Sequence, residues 1–211
     1  MCMMCLARDP GQTIYDSHID APLTDGGISA SLTDAGKPTY TADQIADYLA
    51  VGFWQDNGQQ TRSFDVQAGG TITVNLNGLD ATGKATALQA LEAWTAVSGL
   101  NFTQSTNAMI TFDDTQSGAY NSSYTSGTTI TSSHVNVHTS WQSYGEYYLQ
   151  TYIHEIGHAL GLGHMGSYNG SAEYGTNNSF TNDSWQASVI TSTASSASTN
   201  GATASRSIMD T

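Results

Sequence analysis

Apolar residues recur along this chain with two different periods, and the changes of period predict its elements. Residues 71–76 (Thr-Ile-Thr-Val-Asn-Leu) alternate strictly, which puts Ile72, Val74 and Leu76 on one face of a strand. A first helix is predicted from Thr41, where Thr41 and Gln44 form a capping box, Ile45 and Leu49 share a face, and Gly52 supplies a stop. A longer helix is predicted from Thr82 to Ser98, with Leu88 and Leu91 in one row and Ala90, Trp94 and Val97 in the next. Gly99 ends it. Short strands follow near Phe102 and over 109–112, and residues 134–138 (His-Val-Asn-Val-His) alternate again. A last helix is predicted from Glu146 to Leu160, stopped by Gly161 and Gly163.

Three stretches carry no period. Residues 1–36 contain turn signals at 9–11 (Asp-Pro-Gly) and 25–27 (Asp-Gly-Gly) and read as a loosely organised arm or pro-segment. Residues 115–129, rich in Gly, Ser, Thr and Tyr, read as a long loop. Beyond about 190 the chain becomes a Ser/Thr-rich tail without regular structure of its own.

The last predicted helix carries the chemistry. Residues 154–164 read His-Glu-Ile-Gly-His-Ala-Leu-Gly-Leu-Gly-His. His154 and His158 stand four apart, about 6 Å along a helix axis and on nearly one face, so both imidazoles can reach one metal ion. Glu155 then lies beside the metal, placed to act as a general base toward a water there. Gly161 allows the chain to reverse, which returns His164 as a third ligand from outside the helix. Three nitrogen donors with an open position and an adjacent carboxylate form the donor set of a hydrolytic zinc site. Two readings remain for His134 and His138: further ligands, or, more plainly, a solvent-facing polar row with Asn136.

Charge narrows the partners. The chain has 5 Lys+Arg against 18 Asp+Glu, a net charge of −13, which excludes a phosphate-binding face and attraction to anionic membranes. No apolar run is long enough for a membrane span, and no apolar signal-peptide core stands at the N-terminus. Both cysteines, Cys2 and Cys5, fall in the first five residues, so the remainder has no disulfide framework. Surfaces of uncharged polar residues suit a secreted protein, here without a recognisable N-terminal signal.

The run His154–His164 resembles the metzincin zinc proteases, and among them the serralysin-type enzymes (RTX metalloproteases). Gly-Lys-Pro-Thr-Tyr-Thr-Ala-Asp-Gln at 36–44 is similar to that family's opening segment, and the helix with Leu88, Leu91, Trp94 and Val97 to its first major helix. The resemblance covers about 37–189. It implies an α+β, zincin-like catalytic domain over 37–211: a twisted five-stranded mixed sheet with two long helices and zinc in the cleft. The strand at 134–138 would be the cleft edge, pairing with an extended protein or peptide substrate. The expected activity is zinc-dependent endopeptidase, with His154, His158 and His164 on Zn2+ and Glu155 as base; the alternative is a zinc-binding paralogue with weak or no turnover. A proteinaceous inhibitor is a further expected partner, nucleic acid and membrane are not, and the chain is expected to be a monomer. Calcium stays open, because no Gly-Gly-x-Gly-x-Asp repeat occurs to hold it. The family's methionine turn falls on Ser188-Val-Ile-Thr-Ser192, with Ile190 at the methionine position, or on Met209 near the C-terminus. No tyrosine follows Tyr174 to serve as the family's extra ligand.

Overall fold

The computed structural model describes residues 14–18, 37–166, 168, 179–183 and 188. Strand β1 (Ile14–His18) is followed by helix α1 (Ala42–Asp47), which passes through one π-type turn (Tyr48–Gly52) into the short α2 (Phe53–Asp56). Then come β2 (Thr71–Gly78), α3 (Ala81–Ser98), β3 (Asn101–Gln104), β4 (Ile110–Asp113), β5 (Ala119–Ser126), β6 (Thr129–Val137), a 3-10 turn (Thr139–Tyr144) and α4 (Glu146–Ala159).

One sheet runs in the order β1-β5-β6-β4-β2-β3. Strands β3, β2, β4 and β6 are parallel to one another, and β5 returns antiparallel to β6. These five make the mixed sheet that the family resemblance implies. A sixth strand, β1, comes from the N-terminal arm and pairs antiparallel with the outer side of β5. The methionine-turn candidates Ile190 and Met209, and nearly all of the Ser/Thr-rich tail, lie outside the described residues.

The main core forms where the sheet meets α3 and α4. Ile72, Val74 and Leu76 are all buried, as their alternation requires, and they meet Ile110, Phe112, Val135 and Val137 from neighbouring strands. Each such side chain contributes about 1.5–3 kcal/mol when fully buried. Helix α3 begins at Asp80, whose side chain accepts from the Gly83 N–H, and ends at Gly99 in the left-handed conformation, φ 69°. Its buried stripe is Gly83, Ala87, Ala90 and Leu91, and Leu88 and Val97 are exposed instead. Gly83 lies against the Tyr148 and Tyr152 hydroxyls of α4, so the stripe that is buried is one of small residues, and the larger side chains one position round the helix are turned to solvent.

Four other expectations change. The capping box at Thr41 is present in both directions, at 2.9 and 3.2 Å, but Gly52 does not end the helix. It is helical itself (φ −59°, ψ −44°), and its missing side chain makes room for the Tyr48 ring. The stretch 115–129 is not a loop: most of it is β5, closed onto β6 by a turn at Gly127. Apolar alternation could not reveal β5, because its inward positions are polar. Asn121 donates to Ser133 Oγ at 2.7 Å and to the His134 carbonyl at 3.0 Å, and Ser123 Oγ lies 2.9 Å from Ser133 Oγ.

The polar row on β6 is likewise not solvent-facing. Asn136 is fully buried, accepting from the Gln116 N–H and donating to the carbonyls of Gln116 and Gly118. His134 is half-buried with Nδ1 3.0 Å from Thr111 Oγ1, and His138 caps the 3-10 turn through the Ser140 N–H. Finally, β6 is an interior strand between β4 and β5, so 134–138 is not the cleft edge. Beyond β6 on that side come β5 and then β1.

Candidate metal centre

Helix α4 brings His154, Glu155 and His158 into the interior by a regular helical repeat. Its inner face also carries Tyr148, Tyr152, Ile156 and Ala159, which belong to the main core, so the helix cannot rotate without exposing them. Trp94 of α3 fixes the helix lengthwise, its Nε1 donating to the Ile153 carbonyl at 2.9 Å, one residue before the first histidine.

The third histidine is delivered differently. The chain leaves α4 at Leu160 and reverses at Gly161, whose φ is +106°. A side chain there would be strained and would also run into the Arg62 carbonyl oxygen. Trp54 Nε1 donates to the Gly161 carbonyl at 2.9 Å, and the Gly163 N–H donates to the Leu49 carbonyl at 2.8 Å. The Arg62 guanidinium lies 3.8 Å above the Trp54 ring, a cation–π contact on the outer side of this clamp. Phe53 packs edge-on to His164 at 5.5 Å, in the space that a side chain on Gly163 would take. The π-type turn and α2 thus hold the reversal, and Met165 and Phe180 join Ile45, Leu49, Phe53 and Trp54 in a second apolar cluster.

The result is a convergence of three imidazoles. One ring nitrogen from each of His154, His158 and His164 lies within 4.8 Å of the others, and all three side chains are buried. Among the described residues this is the group of metal-binding type. The Nε2 atoms of His154 and His158 face each other at 2.9 Å. Nδ1 of His158 is 2.9 Å from the Leu162 carbonyl, which can only accept. That bond assigns the proton to Nδ1 and leaves Nε2 as a lone-pair donor pointing into the cluster. Three imidazole nitrogens gathered in this way are the donor set that zinc takes, with Zn–N distances of about 2.0–2.1 Å. Glu155, 1% exposed, stands next in the helix. His134 and His138 are not brought to this cluster.

Two residues that the motif does not announce complete the surroundings. The Tyr168 ring lies 5.5 Å from the His164 ring, and its hydroxyl donates to Asp183 Oδ1 at 2.7 Å. Residues 179–183 are in turn strapped to the start of the domain. Tyr40 stacks on Phe180 at 4.1 Å, and Asn182 bonds both backbone groups of Tyr40. Tyr168, four residues past His164, has a weak local signal in its spacing; Asp183 has none.

The mixed sheet with helices α3 and α4, and three histidines converging from α4 and the turn after it, is the arrangement that the resemblance to metzincin zinc proteases implies. Sequence comparison finds metalloproteases among the proteins that this chain is similar to. Metallopeptidase AprA of Pseudomonas marginalis is 31% identical over 165 residues, 66% of this chain and 35% of that protein. Metalloprotease AprA of Pseudomonas entomophila (strain L48) is 30% identical over 159 residues, 64% of this chain and 33% of that one. The chain spans about a third of the length of the curated relatives it matches. No family model matches. Among solved structures, the hatching enzyme zinc-protease HCE-1 of the medaka fish Oryzias latipes superposes over 49% of this chain and 50% of its own, at 21% identity and TM-score 0.37. Myroilysin does so over 61% and 59%, at 21% identity and TM-score 0.38.

Proposed function

We propose that this chain is a secreted, serralysin-like zinc endopeptidase that hydrolyses peptide bonds in proteins. The observation that carries this reading is the convergence of His154, His158 and His164 with Glu155 buried beside them. A site that only held a metal for stability would gain nothing from a buried carboxylate next to its ligands. When bound, zinc supplies a Lewis acid that polarises the scissile carbonyl and activates water. The chain's own part is to hold His158 through the Leu162 carbonyl and the turn to His164 through the Gly161 carbonyl, and to place Glu155 where it can take a proton from water and pass it to the leaving amine.

Substrate is bound extended, along the outer side of β5. The sheet without β1 has two edges, β3 and β5; β3 packs against α3, whereas β5 packs against α4, the helix that carries the histidines. Main-chain pairing on such an edge gives affinity with broad tolerance of sequence. Residues 37–211 are the catalytic unit in this reading and 1–36 an arm. Secretion follows from the family resemblance and the uncharged polar surface; among the described residues no helix is long and apolar enough to cross a membrane.

The test is cleavage of an unfolded protein by the zinc-loaded chain, with Glu155→Gln alongside. Cleavage by the parent and not by the variant, both holding zinc, is the expected result. Silence from both with zinc bound, or equal cleavage by both, would remove the reading.

A further inference from the structure

The His164 imidazole has two aromatic neighbours, Phe53 edge-on and Tyr168 at a tilt of 37°, each with its ring centre 5.5 Å away. Each ring has a glycine beneath it. A side chain on Gly163 would fill the place of Phe53, and one on Gly166 would run into the Tyr168 ring and meet the Asp183 carboxylate. Phe53 is held by packing in the second apolar cluster. Tyr168 is held by a bond: its hydroxyl donates to Asp183 Oδ1 at 2.7 Å, and Asp183 is 0% exposed. We infer that Asp183 is a positioning residue of the metal centre, which acts through the Tyr168 hydroxyl to fix the ring that orients the His164 imidazole. The inference rests on the reading of His154, His158 and His164 as ligands, and extends it to a residue far along the chain from the motif.

Backbone placement alone does not aim an imidazole, because the ring still turns about two side-chain bonds. For His158 the aim is set by the Leu162 carbonyl at 2.9 Å from Nδ1. For His164 the rings packed on it set the aim, and Tyr168 keeps its place only while its far end is tied. An O–H bond to a carboxylate is charge-assisted and about twice as strong as one between neutral groups. In a buried place water does not compete for it. The support under each end is firm. The Tyr168 N–H donates to the Gly166 carbonyl at 2.8 Å, which folds the chain back just after the third histidine. Next to Asp183, the Thr181 N–H donates to the Pro38 carbonyl at 2.9 Å, and Asn182 bonds both backbone groups of Tyr40. The carboxylate therefore holds the tyrosine from a fixed point instead of following it.

The test measures zinc affinity by chelator competition, and the visible spectrum of the Co2+-loaded full chain, which reports the arrangement of the donors. Tyr168→Phe keeps the ring and loses the bond, Asp183→Ala loses the bond from the other side, and Asp183→Asn keeps an acceptor for the hydroxyl. We expect Tyr168→Phe, Asp183→Ala and the double variant each to bind zinc about tenfold more weakly, with an altered Co2+ spectrum. The loss in the double should be no larger than in either single, because all three cut one link. Asp183→Asn should stay within about threefold of the parent and keep its spectrum. Parent affinity in Tyr168→Phe, losses that add in the double, or a parent spectrum in Asp183→Ala would overturn the proposal. An Asp183→Asn chain as weak as Asp183→Ala would overturn it too, by showing that the charge acts and not the bond. Where Asp183→Ala does not fold, Tyr168→Phe against Asp183→Asn decides, since both keep the shape of the pair. The ligand reading fails by a different result: parent zinc affinity in His164→Ala would remove the third ligand, and this proposal with it.

Discussion

The two halves of the metal site are built by different means. His154, Glu155 and His158 are carried by one helix inside the main core, and their relative positions follow from the 3.6-residue repeat. His164 stands on a turn whose position is set by a second cluster, through Trp54, Leu49, Phe53 and Met165. The helical half resists displacement because moving it would disrupt the contact of α4 with both α3 and the sheet. The turn half depends on a few bonds to the first helices, so the third ligand is the part of the site that remote substitutions can move.

This contrast can be broken or sharpened by substitution. The largest effect is expected at Glu155: the change to Gln should lower kcat by about a thousandfold, with the zinc content of the parent. Loss of zinc in that variant would make the carboxylate a structural member of the helical half. His164→Ala should leave two ligands on the helix and weaken zinc binding by more than about 100-fold in a chelator competition. An unchanged affinity would mean that the turn half is not part of the site. Gly161→Ala tests the turn without touching a ligand. Strain at φ +106° and the contact with the Arg62 carbonyl should together destabilise the fold by about 2–3 kcal/mol in urea unfolding, and zinc affinity should fall with it.

A smaller and more discriminating pair is Trp54→Phe against Trp94→Phe. Each removes one indole hydrogen bond, to the Gly161 or the Ile153 carbonyl, and each should reduce stability by about 1–2 kcal/mol. Only the first should also weaken zinc binding, because only the first holds the turn. Equal effects on zinc would erase the distinction between the halves.

The smallest effect is a pH dependence far from the metal. Asp80 is held below the usual carboxylate range by the Gly83 N–H, then by Gln142. A folded pKa below the unfolded value gives stability that is complete above about pH 4 and is lost as pH falls through the folded value. Asp80→Asn should flatten the acid side of a stability–pH curve while leaving zinc binding alone.

Much of the scaffold was legible wherever a side-chain pattern matched an element's period. Ile72, Val74 and Leu76 announced β2, and Thr41 with Gln44 marked the start of α1. The pattern misled where burial was achieved by other means. β5 is buried through Asn121, Ser122 and Ser123, so its residues look like those of a loop until the bonds to β6 are counted. Leu88 and Val97 look like core and lie outside it, because the buried stripe of α3 is Gly83, Ala87, Ala90 and Leu91. Gly52 looks like a stop and is a space for Tyr48.

For the site, the eleven residues from His154 to His164 carried the proposed chemistry on their own. The two proposed helix ligands and the proposed base are related by helix geometry, which is local, and Gly161 is the residue that permits the reversal. Tertiary structure decided what local geometry cannot: that the reversal ends against Trp54 and Leu49, that Tyr168 and Asp183 come together near the third histidine, and that β6 lies inside the sheet between β4 and β5. It also decided that Ile14–His18 lies along β5. A strand's partner is selected by backbone groups that every residue carries, so no side-chain pattern in the sequence could have named it.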